Sequence, residues 1–245
     1  MFDFLRFVNL VSARRNRARI FLGLAALLVV AASAHAQFAA PSAGTQVLDT
    51  TALHPPAGAR VAIVEFADME CPACAHANPV LKEAAAKYKI PWLRHDFVIP
   101  YHAWSPIAAV NARWFDSKSK ALGDEYRDQV FANQSSIYNP EVLRQFTQKF
   151  ADDHKIQLPF AMDPQGKLAA EIKADSELGR RTGVTQTPTI FIVTSNSRGA
   201  PFIEVQHPDT QLFQVIDQAI ADTAPARAPA KPAARTAPAQ KAASK

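Results

Sequence analysis

Cys71 and Cys74 are the only cysteines of this 245-residue chain, and they stand three positions apart in 66-FADMECPACAHANP-79. A thiol pair at that spacing can shuttle between dithiol and disulfide, exchanging two electrons with another protein's cysteines. Other readings of the pair are weaker. A purely structural disulfide there closes a tiny loop and constrains the unfolded chain little. A zinc site needs about four ligands; no second C-x-x-C exists, and His76, His54, His95, His102, His154 and His207 show no ligand spacing. A c-type haem wants histidine directly after the second cysteine, where Ala75 stands. Redox exchange is therefore the favoured chemistry, with no cofactor and no metal expected.

That chemistry depends on what positions the pair. The run 61-VAIVEF-66 is short, nearly continuous and β-branched, which predicts a buried strand. From Pro72 to about Lys89 the apolar period becomes helical, with Pro72 suited to a first turn and Pro79 placed to kink the helix. Cys71 would then sit where strand turns into helix, facing unpaired N–H groups and the positive end of the macrodipole. Such settings lower a cysteine pKa from about 8.5 to as low as roughly 3.5. Cys74, one turn further in, would attack a mixed disulfide formed at Cys71.

Around this unit the pattern predicts an edge strand at Thr45–Asp49, a Pro/Gly loop at 54–58, and a second strand within 91-PWLRHDFVI-99. Four helices should follow, from Ser105, from about residue 118, from Asn139-Pro140 and from Asp163-Pro164, the last ending near Arg181. The runs 189-TIFIVT-194 and 201-PFIEVQ-206 read as an antiparallel hairpin, and Asp209 as the cap of a last helix. The expected architecture is α/β with a helical block at 105–182 between the second and third core strands.

The ends differ from the middle. Residues 1–36 combine five arginines, an apolar run from Ile20 to Ala32 and the motif Ala34-His35-Ala36, the layout of a secretory signal peptide. The run of about 13 residues is short of the roughly 20 that span a bilayer, and a retained N-terminal anchor is the alternative. Either way the remainder is expected outside the cytoplasm, where disulfides persist. Residues 223–245 hold ten Ala, four Pro, five Lys or Arg and no acid, which predicts a disordered tail. The chain's net charge of +5 is therefore an end effect, because residues 37–222 carry 17 basic against 21 acidic side chains. No basic face for nucleic acid is indicated.

The segment 62-AIVEFADMECPACAHANP-79 resembles the active-site segment of DsbA-like thiol:disulfide oxidoreductases of the thioredoxin superfamily. In 183-GVTQTPTIFIV-193, Thr187-Pro188 before an apolar strand resembles the cis-proline loop of that fold. The resemblance covers about residues 45–222, helical block included. It implies a thioredoxin fold with Cys71 attacking, Cys74 resolving, and Glu65 as a buried acid accepting the Cys74 proton. Thr187, through its backbone, and Pro188 would hold an extended substrate strand. The partners implied are extended or unfolded envelope polypeptides and a membrane or soluble redox partner, with the protein a monomer. Two positions depart from the pattern. Ala73 stands where the strongest oxidases carry histidine, and Gln186 where many relatives have glycine.

With Asp68 and Glu70 crowding the site, like charge would oppose the thiolate. The disulfide should therefore be less oxidising than in the strongest oxidases. An oxidase is favoured, since 37–60 does not accommodate the N-terminal domain that dimeric isomerases carry. A reductase or isomerase is the alternative, supported by Thr187 before the proline; a non-enzymatic binding module is a further one. Arg94, His95, Asp96 and His102 are expected in surface or salt-bridge roles, and Trp92, Trp104 and Trp114 in packing.

Overall fold

The computed structural model describes residues 45–195 and 201–223, and these fall in one compact unit. The segment read as a signal peptide, most of the hairpin loop and all but the first residue of the expected tail lie outside the described residues. Four strands form one sheet in the order β2-β1-β3-β4: β1 (Val61–Ala67), β2 (Trp92–Asp96), β3 (Thr189–Thr194) and β4 (Phe202–Glu204). β1 pairs parallel with β2 and antiparallel with β3, and β3 pairs antiparallel with β4. Helix α1 (Pro72–Tyr88) is the crossover from β1 to β2. Pro79 sits inside α1, which continues past it.

Alternation along the central strands sends side chains to two cores. Val61, Ile63, Ile190 and Ile192 pack under α1 and the last helix, α6 (Pro208–Thr223), against Leu81, Leu212 and Ile216. Ala62, Val64, Phe66, Phe191 and Val193 face the other way, against Leu53, Phe97 and Val184. Glu65 falls on the α1 side by the same alternation.

The helical insertion stands between β2 and β3, as the sequence predicts: α2 (Ser105–Asp116), α3 (Lys120–Ala132), α4 (Pro140–Asp153) and α5 (Lys167–Thr182). Ser119 Oγ accepts from the Leu122 amide at the start of α3, and Asn139 Oδ1 from Val142 at the start of α4, each a side-chain acceptor for a first-turn amide. A third core, built around Trp104, Phe115, Tyr126, Phe131, Leu143 and Phe150, holds these helices together, and it includes Met69, Cys71 and Cys74. The cysteine turn therefore joins the strand-helix unit to the insertion. No helix among the described residues is long and apolar enough to cross a membrane.

Three expectations are corrected. Thr45–Asp49 is not a strand. Its polar groups pair with separate partners instead of a ladder, with Leu48 N–H on Thr182 O and Thr45 on the Glu204 carboxylate. Helix α5 begins at Lys167, later than the Asp163-Pro164 signal, because Gly166 adopts a left-handed φ of 69° that breaks the helical path. Asp163 still accepts from the Ala169 amide. Asp209 lies within the first turn of α6 and does not cap it, since the helix already starts at Pro208. The ionic residues of β2 prove half-buried and interlocked: Arg113 binds Asp96 at 2.7 Å and Asp175, and His95 lies 3.0 Å from Asp175.

Gly179 lets α5 lie against the sheet. A Cβ there would meet the Phe97 ring at 2.6 Å and Phe66 at 3.0 Å, both buried. Gly179→Val should lower unfolding free energy by about 1–3 kcal/mol in a urea titration, since overpacking outweighs any gain in helix propensity.

Candidate active site

Cys71 has extended dihedrals, φ −80° and ψ 119°, and is the N-cap residue of α1; Pro72 follows, needing no amide partner. Its carbonyl accepts from the amides of Cys74 and Ala75, which closes the first turn and brings Cys74 back toward it. The residue keeps a small exposed edge, 9 %, flanked by exposed Pro72 and Ala73, whereas Cys74 is fully buried. Both are free thiols. The Thr187-Pro188 peptide bond is cis, and Thr187 O lies 3.3 Å from Cys71 Sγ, so the loop before β3 faces the cysteine turn.

These surroundings lower the Cys71 pKa to about 5. The largest cause is the Cys74 thiol, which donates to the charged sulfur; the Thr187 hydroxyl and the amides of Cys74 and Ala73 act the same way, against burial. The Thr187 carbonyl works in the other direction, because it accepts the proton of the thiol form. Cys74 is raised far above the usual thiol range, first by burial, then by its bond to Cys71 and by the Glu65 charge. One sulfur is thus set to ionise and its neighbour to stay protonated.

Glu65 lies beneath α1 with 1 % exposure. Trp92 Nε1 donates to Oε2 at 3.0 Å, while Oε1 is buried without a partner. Burial raises its pKa to about 7, although Arg94 and the Trp92 hydrogen bond pull it back. The Arg94 guanidinium stacks 3.5 Å over the Trp92 ring and binds Asn78 Oδ1 at 2.9 Å and Asp128 Oδ1 at 2.7 Å. Trp92 and Arg94 thus belong to the acid's surroundings. Neither shows this locally; their register beside β1 places them there.

The two neighbouring acids do not play the expected part. Asp68 Oδ1 accepts from the Glu70 amide at 2.7 Å and lies 2.9 Å from His102 Nδ1, and Oδ2 accepts from Ile99 N–H. Glu70 Oε2 accepts from the amides of Trp104 and Ser105 at 2.7 and 3.0 Å, at the start of α2. Their charges are held by backbone donors, and the main influences on Cys71 come from elsewhere. The acids are struts between the cysteine turn and the insertion.

Beside the turn lies a cleft of about 470 Å³, lined by Ala73, Thr187, Pro188, Val205 and His207. His76 Nε2 and Asp209 Oδ2 meet at 2.9 Å on its border, bridging α1 and α6. Among the described residues no group of three or more His, Cys, Asp or Glu could hold a metal ion.

Fold and site together define a thioredoxin-fold protein with a DsbA-like helical insertion and a C-P-A-C pair facing a cis-proline loop. The chain belongs to the thioredoxin family, whose family model, described as Thioredoxin, matches residues 56–203. It is similar in structure to α-DsbA1 of Wolbachia pipientis, with a TM-score of 0.56 and 19% identity over 70% of this chain and 92% of that one. Oxidised BdbD of Bacillus subtilis gives 0.53 and 15% identity over 74% and 97%. A curated relative, the Na(+)/H(+) antiporter NhaA 3 of Salinispora tropica, is 28% identical over 152 residues, which are 61% of this chain and 22% of that protein. The chain thus spans about a fifth of that relative's length.

The buried acid carries a pH signature. Its folded pKa of about 7 lies above the ordinary value of 4.5, so the folded state holds the proton more tightly. Its contribution to stability should be full below about pH 4.5 and fall by about 3 kcal/mol as pH rises through 7. The difference in unfolding free energy between wild type and Glu65→Gln, measured from pH 4 to 8, should show that slope; a flat difference would contradict it.

Proposed function

We propose that this protein is an exported thiol:disulfide oxidoreductase acting on extended or unfolded envelope polypeptides, with oxidation as its direction. The observation that carries the reading is the contrast between two sulfurs on one helical turn. Cys71 is favoured as thiolate at an exposed edge, and Cys74 is favoured as thiol in the interior.

In the oxidising direction a client thiolate attacks Cys71 Sγ of the Cys71–Cys74 disulfide. The S–S bond breaks, Cys74 leaves as thiolate, and a mixed disulfide forms between client and Cys71. Glu65, near half protonation at neutral pH, gives Cys74 its proton. A second client thiolate attacks the client sulfur, and Cys71 leaves as the stabilised thiolate. The client loses two electrons and gains a disulfide, the protein becomes the dithiol, and a membrane or soluble redox partner re-oxidises it. Thr187 and Pro188 supply the edge against which the client chain lies, in the cleft beside Ala73.

Stabilising the Cys71 thiolate stabilises the reduced form, and this is what makes such a disulfide oxidising. Thr187 before the proline favours a second reading, reductase or isomerase, in which the Cys71 thiolate attacks a client disulfide and Glu65 takes the Cys74 proton. Processing of the exported chain after Ala36 and a spacer role for the tail belong to this proposal.

The redox equilibrium with glutathione decides direction. A Cys71 pKa of about 5 lies between those of thioredoxin, about 7, and of the strongly oxidising family member, about 3.5. The reduction potential should accordingly fall between roughly −270 and −120 mV. A value at the thioredoxin end would move the assignment to reductase. Failure to equilibrate at all would leave only the binding-module reading. Cys74→Ser should accumulate a mixed disulfide with an unfolded client that carries a disulfide, because the Cys71 thiolate breaks that S–S bond, one client sulfur leaves as thiolate and no Cys74 resolves the product. The product is visible by non-reducing electrophoresis, whereas Cys71→Ser should form none.

A further inference from the structure

Between α3 and α4 the insertion makes a single 3-10 turn, Gln134–Ser136, and the first residue of that turn reaches the cysteines. Gln134 Nε2 donates to Met69 O at 2.9 Å and to Cys71 O at 3.0 Å, across more than sixty positions of sequence. Resting on the thiol-exchange reading above, we propose that Gln134 is a positioning residue for Cys71: its side-chain amide holds the turn so that the first amides of α1 converge on the sulfur.

The geometry supports this in three ways. The Cys71 carbonyl already accepts from the amides of Cys74 and Ala75, and Gln134 adds a third donor to the same oxygen. Its partial positive charge there opposes the carbonyl's negative end, which would otherwise act against a thiolate on the same residue. The second bond, to Met69, fixes the chain before the N-cap, so the turn is held on both sides of Cys71. The opposite edge of the turn is pinned by Asp68 and Glu70 to Ile99, Trp104 and Ser105. Gln134 is the part of this support whose proton donors lie beside the sulfur's own carbonyl. It is only partly buried, so its replacement leaves the insertion core intact.

The test uses the full chain carrying Gln134→Met, which keeps length and packing but donates nothing, and Gln134→Glu, which removes the donors and adds negative charge. The reaction is protein disulfide plus two glutathione thiols giving protein dithiol plus glutathione disulfide. Its equilibrium constant should fall about threefold in Q134M, and further in Q134E. The thiolate absorbance midpoint of Cys71 should rise by about half a pH unit in step. A residue with a merely structural role would lower the thermal midpoint and leave both redox readouts at their wild-type values, and that result in either variant overturns the proposal. Wild-type protein that does not equilibrate with glutathione overturns the exchange reading, and this inference with it.

Discussion

A sulfur favoured as thiolate in a residue 9 % exposed is the constraint on which this structure depends. Burial by itself opposes such a charge, so the fold must supply hydrogen-bond donors in a fixed place. It does so with the amides of Ala73 and Cys74 in the first turn of a helix, and with the Cys74 thiol and the Thr187 hydroxyl. Donors on separate elements are useful only if those elements keep their relative positions. Much of the remaining structure achieves that.

The sheet contributes through its period of two. Ile63 and Glu65 share a face, so the strand that packs α1 also puts a carboxyl group beneath it, in surroundings apolar enough to hold a proton near neutral pH. Trp92 holds Oε2, while Oε1 is buried without a hydrogen-bond partner. The insertion contributes from the other side. Its core takes in Met69, Cys71 and Cys74, and Asp68, Glu70 and Gln134 tie the turn to it through backbone groups. The active turn is thus clamped between two lobes with separate cores, while its outer edge and the neighbouring cleft stay open.

Much of the fold was legible in the sequence because it is written in local periodicity. The β-branched run at 61–66, Pro72 at a first turn, Asn139-Pro140 as a helix start and the paired runs at 189–194 and 201–206 each act over a few residues. The misreadings arose where a local signal competed with a distant partner. Thr45–Asp49 reads as an edge strand, but its hydrogen bonds go to Thr182 and Glu204. Asp163 does receive an amide from the next helix, yet Gly166 delays the helical start.

By itself the sequence determined that two thiols stand at the start of a helix, one turn apart, and that an acid lies on the buried strand leading to them. Spacing suffices for this, because helix ends and strand alternation are local properties of the backbone. The rest of the site was decided only by tertiary structure. Gln134 is 63 positions from Cys71 and Trp92 is 27 from Glu65, and Thr187, 116 from Cys71, is placed at the site from sequence only through the family resemblance. Asp68 and Glu70, close to Cys71 in sequence and read there as opponents of the thiolate, act as struts because the amides of Ile99, Trp104 and Ser105 reach them. Which donors meet a charge depends on how packed elements are juxtaposed, and no run of neighbouring residues carries that information.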